Sequence, residues 1–104
     1  MAIVDVSVIP IGTESSSVSS YVADLQKILK EYEKDGKIRF QLTPMNTIIE
    51  GELSILFQVI EDIHESPFNH GIQRVATNIR IDDRRDKKTT MEGKLSSVQR
   101  QLEQ

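Results

Sequence analysis

Three stretches of this chain alternate apolar and polar residues, a fourth, Thr47 to Glu50, is short and holds two isoleucines, two others repeat apolar residues every three or four positions, and they run in the order strand, helix, strand, strand, helix, strand. Period two puts successive side chains on opposite faces of a strand, and period 3.6 gathers them into one stripe of a helix. In Ala2 to Ile9, Val4, Val6 and Val8 share one face while Ile3, Asp5, Ser7 and Ile9 share the other; Pro10 and Gly12 are expected to end this strand. Thr13 to Ser17 form a polar loop with several candidate N-caps. The helix that follows carries Val18, Tyr21, Val22, Leu25, Ile28, Leu29 and Tyr32 as its apolar stripe, and Gly36 is placed to close it in the left-handed conformation.

Ile38, Phe40 and Leu42 alternate with Arg39, Gln41 and Thr43 in a second strand, and Thr47 to Glu50 make a short third one. The short connection through Pro44 predicts a hairpin. A second helix buries Leu53, Leu56, Val59, Ile60 and Ile63 and is bounded by Pro67 and Gly71. Val75, Thr77, Ile79 and Ile81 alternate with Ala76, Asn78, Arg80 and Asp82 in a long fourth strand. This order is the ferredoxin-like split βαβ arrangement, an α+β fold in which both helices cover one face of a four-stranded antiparallel sheet. The other face is expected to carry Asp5, Ser7, Arg39, Gln41, Asn78 and Arg80. Isolated apolar positions there, such as Ile3 and Ile9, suit packing on another subunit. Met91, Leu95, Val98 and Leu102 add a short C-terminal helix, about residues 91–103. A helix that short needs a surface to rest on, its own domain's or a partner's.

The 104 residues are read as one domain, residues 1–104, large enough for one modest core. With 38% hydrophobic and 28% charged residues the chain reads as globular rather than disordered. A net charge of -3 argues against a surface for nucleic acid, which needs clustered Lys and Arg, and suits a neutral or cationic ligand. Without cysteine there is neither disulfide nor thiolate chemistry. No apolar run is long enough to span a membrane, and no signal peptide is recognisable, so the expected location is cytoplasmic.

Catalytic signals are weak. His64 and His70 do not share a helical face, and each reads as a surface or helix-end histidine. The serines at 15, 16, 17, 19 and 20 have no G-x-S-x-G elbow and no identifiable base, so capping and loop roles account for them. Glu50 with Glu52, and Asp82 with Asp83, lack metal-loop spacing, and no metal is expected. The run from Asp82 to Lys88 reads as a solvated strand end rather than a binding patch. Arg74 is open to pairing with Glu50 or with that run.

Ligand binding is better supported. Glu50 sits at a strand end just before a helix, where it is either a ligand acceptor or a charge complementing a helix dipole. Thr47 lies at the start of the same strand. Thr13 is either a cap of the first helix or part of a polar region converging with these residues, at helix N-termini whose N–H groups are free. Tyr21 and Phe40 are core by default and stacking surfaces if a flat heterocycle binds.

Several blocks in order carry a resemblance: Val8-Ile9-Pro10-Ile11-Gly12-Thr13, Ser17-Val18-Ser19-Ser20-Tyr21-Val22, Pro44-Met45-Asn46-Thr47-Ile48-Ile49-Glu50-Gly51-Glu52, Gly71-Ile72-Gln73-Arg74-Val75 and Ile79-Arg80-Ile81-Asp82-Asp83-Arg84-Arg85-Asp86. Through them the chain resembles, over nearly its whole length, the small thiamine-binding protein family. The resemblance implies a ferredoxin-like fold in homo-oligomers, dimers or dimers paired into tetramers. It implies binding of thiamine or its hydroxymethylpyrimidine moiety as a ligand, with no cofactor and no established chemistry. It puts Thr47 and Glu50 first as ligand-binding residues, then Thr13, Ser17 and Tyr21. Two alternatives stand beside a non-enzymatic binding protein. One is an oligomeric regulatory or interaction module without thiamine binding. The other is an enzyme on a thiamine-like heterocycle, disfavoured by the lack of cysteine, of a histidine–carboxylate pair and of a metal signature.

Overall fold

The computed structural model of the chain describes residues 1–14, 18–88 and 90–103. Its elements are β1 (Ala2–Ile11), α1 (Ser19–Lys34), β2 (Ile38–Leu42), β3 (Thr47–Gly51), α2 (Leu53–Glu65), a 3₁₀ turn (Ser66–His70), β4 (Arg74–Asp82) and α3 (Met91–Leu102). The strands lie in the order β2-β3-β1-β4, each antiparallel to its neighbour. This is the ferredoxin-like sheet expected from the element order, with a C-terminal helix added.

The register explains the core. Val4 lies beside Ile49, and Ile49 beside Phe40, so one face of the sheet is an apolar row. Leu25 and Leu29 of α1 and Leu56, Val59 and Ile63 of α2 close over that face. Val4, Leu29, Ile49, Leu56 and Val59 are fully buried, and each such side chain contributes about 1.5–3 kcal/mol by leaving water. Gly36 closes the chain after α1 at φ 75, the left-handed conformation that a Cβ would strain.

Two expectations are corrected. Pro10 does not end β1; it is buried, lies opposite Val75, and the strand runs on to Ile11. Proline is tolerated there because the β2–β3 hairpin has already ended and one side of β1 is an open edge that needs no N–H donor. The cap of α1 falls not on Thr13 to Ser17 but on Val18, which supplies no side-chain acceptor.

Candidate functional site

The candidate ligand residues fall on different faces and ends of the sheet. Thr47 and Glu50 are separated by an odd step along β3 and so point to opposite faces. Thr47 is buried on the helix side, where its hydroxyl accepts from the Gln26 side-chain amide at 3.3 Å. Glu50 is 2% exposed on the open side.

On that open side one row crosses the whole sheet: Arg39, Glu50, Ile3 and Asp82 lie side by side on β2, β3, β1 and β4. The first turn of α3 settles on this row. The Met91 N–H donates to the Glu50 carboxylate at 2.8 Å, Glu92 pairs with Arg39, and Lys94 pairs with Asp82 at 2.6 Å. Thr90 caps the same turn by accepting from the Gly93 N–H at 2.9 Å. Glu50 therefore complements a helix N-terminus, as one of its two readings held, but the helix is α3, distant in sequence, rather than α2. Beyond this turn the stripe of α3 is bare: Leu95 is 64% exposed and Leu102 74%.

The opposite end of the sheet holds two concavities. The last rung between β1 and β3 is Val6–Thr47, yet β1 continues five residues further, paired among the described residues only with β4. The difference in strand length leaves a notch of about 420 Å³ between the hairpin tip, the free edge of β1 and α1. Val8, Val22 and Leu25 give it apolar walls, and Thr43, Asn46, Thr47 and Asn78 give it polar groups. The tip is held in place: the Thr43 hydroxyl bonds the Asn46 carbonyl at 3.0 Å, and Ser7 Oγ donates to the Met45 carbonyl at 3.4 Å.

The second concavity, about 470 Å³, lies where the end of β1 meets α1 and the turn at Gly71. Thr13, Glu14, Ser20, Tyr21 and His70 line it. His70 Nε2 lies 2.9 Å from Asp24 Oδ2, and the Tyr21 and His70 rings meet edge to face at 6.2 Å. A histidine–carboxylate pair thus exists, contrary to the sequence expectation; its members come from different elements and no local spacing announces them. Each concavity falls in the size range of small-molecule sites.

Thr13 and Tyr21 therefore share one cleft, and Thr47 lines the notch built on the same ends of β1 and α1. Glu50 is not with them: it stands beside Ile3, about 27 Å of strand before Ile11. Ser17 lies outside the described residues. Arg74 sits opposite Ile11 and so reaches neither Glu50 nor, within its own chain, the charge run. That run pairs with itself, Arg84 with Asp86 and Arg85 with Asp83, as a solvated segment does. His64 is used structurally, with Nδ1 2.7 Å from the Thr77 hydroxyl and its ring against Phe68. Among the described residues no cluster of three or more His, Asp or Glu could hold a metal, and no helix is long and apolar enough to cross a membrane.

Comparison with known proteins agrees with this architecture. The chain is 69% identical over 103 residues to the UPF0045 protein YqgV of Bacillus subtilis, covering 99% of each. It is 60% identical over 102 residues to a UPF0045 protein of Staphylococcus xylosus, covering 98% of this chain and 95% of that one. The crystal structure of the hypothetical protein MJ1052 of Methanocaldococcus jannaschii superposes with a TM-score of 0.83 at 31% identity, over 94% of this chain and 95% of that one. Residues 4–99 match the family described as thiamine-binding protein, spanning the sheet, both core helices and most of α3, and the chain belongs to that family.

Proposed function

We propose that this chain is a non-enzymatic, cytoplasmic binding protein for thiamine or its hydroxymethylpyrimidine moiety, acting as a homo-oligomer in a carrier, buffer or sensor role. One observation carries the reading. Four of the five segments through which the sequence resembles the family send residues to one end of the sheet: Val8, Val22 and Pro44 to Thr47 line the notch, and Thr13, Tyr21 and Gly71 line the adjoining cleft, while Ile79 to Asp86 runs to the other end. Family membership supports the ligand class.

The chemistry fits. An aminopyrimidine offers a flat apolar ring with an amino donor and ring-nitrogen acceptors. The notch supplies aliphatic walls, the Thr47 hydroxyl beside the Gln26 amide, and the unpaired edge of β1. A cationic thiazolium suits the cleft, which holds the Glu14 carboxylate and the Tyr21 ring. Polar groups held in an apolar notch discriminate strongly, because an analogue that fails to match them leaves them unpaired. Glu50 contributes to such a site only if α3 lifts from it.

The test is calorimetric titration with thiamine and, in parallel, with hydroxymethylpyrimidine. Saturable binding in the micromolar range or tighter is expected, weakened in Thr47→Ala and Tyr21→Ala, with both compounds recovered unchanged. No heat from a folded protein would remove this reading, and consumption of either compound would revive an enzyme, with the Asp24–His70 pair the first group to substitute.

A second reading, an interaction module, has its own observation in the bare stripe of Leu95, Val98 and Leu102. Deleting residues 91–104 separates the two. Loss of assembly with ligand binding intact gives α3 to assembly alone.

A further inference from the structure

His70 closes the 3₁₀ turn and lines the cleft that also holds Thr13, Glu14 and Tyr21. Its side chain is 51% exposed, so solvent protons reach the ring. We propose that His70 sets the choice between a cationic and a neutral ligand: when neutral it admits the thiazolium of thiamine to the cleft, and when protonated it turns that cation away without acting on a neutral pyrimidine. This role rests on the thiamine reading above and names the residue by which thiamine is told from hydroxymethylpyrimidine.

The contact with Asp24 makes His70 a change of charge without a change of place. An imidazole with its proton on Nε2 donates to Asp24 Oδ2 across the 2.9 Å gap, and so does an imidazolium. Histidine is the side chain that ordinarily changes charge between about pH 5 and 8. A cleft of about 470 Å³ is on the order of 10 Å across, so a cation inside it stands within about one Debye length of His70. The Tyr21 ring, 6.2 Å from the His70 ring, is open to attraction from either cation.

The surrounding charges fix the sign. From α1 come Asp24 and Tyr21, with Lys27 Nζ 3.8 Å from the other Asp24 oxygen, and Glu14 comes from the loop after β1. The helix before the turn ends in Glu65, and the strand after it begins with Arg74. With His70 neutral, Glu14 and Asp24 favour a cation in the cleft. With His70 charged, Asp24 is taken up as its counter-ion and the ring repels the ligand. Coupling is reciprocal, so by whatever factor protonation weakens thiamine, thiamine weakens protonation. Thiamine binding therefore expels protons, whereas a ligand without fixed charge expels none from this ring. The aminopyrimidine titrates too, but both ligands carry it, and it cancels in their ratio.

The experiment is calorimetric titration of the full chain with thiamine and with hydroxymethylpyrimidine, at several pH values between about 5.5 and 8, in buffers of unlike ionisation enthalpy. The ratio of the two affinities should move about tenfold against thiamine from the top of that range to the bottom. Near the middle, thiamine should release a fraction of a proton more than hydroxymethylpyrimidine does. His70→Gln keeps a donor for Asp24 and removes the titration. It should hold the ratio at its high-pH value and abolish the extra proton release. His64, the other histidine, does not line the cleft and stays in the variant as an internal check.

Proton release in the parent protein tests the role even if the variant fails to fold. Binding of both ligands with a ratio indifferent to pH, and no extra proton release, would overturn the role of His70 and leave the thiamine reading standing. A pH-dependent ratio that persists in folded His70→Gln would overturn it as well. Binding of neither ligand would remove the thiamine reading and this role with it.

Discussion

The carboxylate of Glu50, almost completely buried on the open face of the sheet, accepts a hydrogen bond at 2.8 Å from the backbone N–H of Met91, 41 residues later. An ionised acceptor at the first N–H of a helix satisfies an orphan donor and complements the helix dipole at once. This bond and two ion pairs fix only the first turn of α3. Glu50→Ala is expected to free that turn at a cost of about 2 kcal/mol. Hydrogen exchange at Met91 and Glu92 should quicken, and proteolysis within residues 91–103 with it, while amides of β1 and β3 keep their protection. Unchanged exchange at Met91 would mean that the ion pairs from Glu92 and Lys94 suffice.

Thr47→Val keeps the volume of the side chain and deletes its hydroxyl. The notch stays apolar, so the fold should tolerate the change. Thiamine affinity should fall roughly five- to tenfold, the loss of one hydrogen bond of about 1 kcal/mol. Equal affinities for parent and variant would place the ligand elsewhere on the molecule.

Tyr32 of α1 hydrogen-bonds Asp62 of α2. That bond, together with burial and the nearby carboxylate charge, pushes the phenol up to about 12 from its ordinary 10. Because the folded state holds this proton more tightly than the unfolded one, the contribution of the pair is fully present below pH 10 and is lost as pH rises towards 12. Absorbance titration of the two tyrosines should show one phenol ionising near 12, and Asp62→Asn should bring that step down. A parent protein whose tyrosines both ionise near 10 would contradict the contact.

Gly51 is buried where β3 leads into α2, beside both Ala2 and Ile38. A Cβ there would lie 3.1 Å from the Lys37 carbonyl oxygen and 3.3 Å from Ile38 Cγ2. The nearer of these atoms is backbone, and it cannot rotate away. Gly51→Ala is expected to cost about 1–3 kcal/mol and to lower the thermal midpoint. A midpoint equal to that of the parent would show that the β2 end of the sheet shifts without strain.

Sequence alone determined the order of the elements, the face on which each strand residue lies, and the stripes by which α1 and α2 close the core. These are consequences of local periodicity, written within ten or fifteen residues. It also determined that Thr47 and Glu50 point to opposite faces, because an odd step along a strand does so in any register. Tertiary structure decided which rungs meet. Alternation fixes a face but not a position along the partner strand, so nothing local set Glu50 under Met91, drew Asp24 to His70, or kept Arg74 from Glu50. The notch beside Thr47 is likewise a tertiary product. It exists because β1 runs through Pro10 to Ile11 while the hairpin stops at Thr47, and a difference in strand length leaves no mark on the periodicity of either strand.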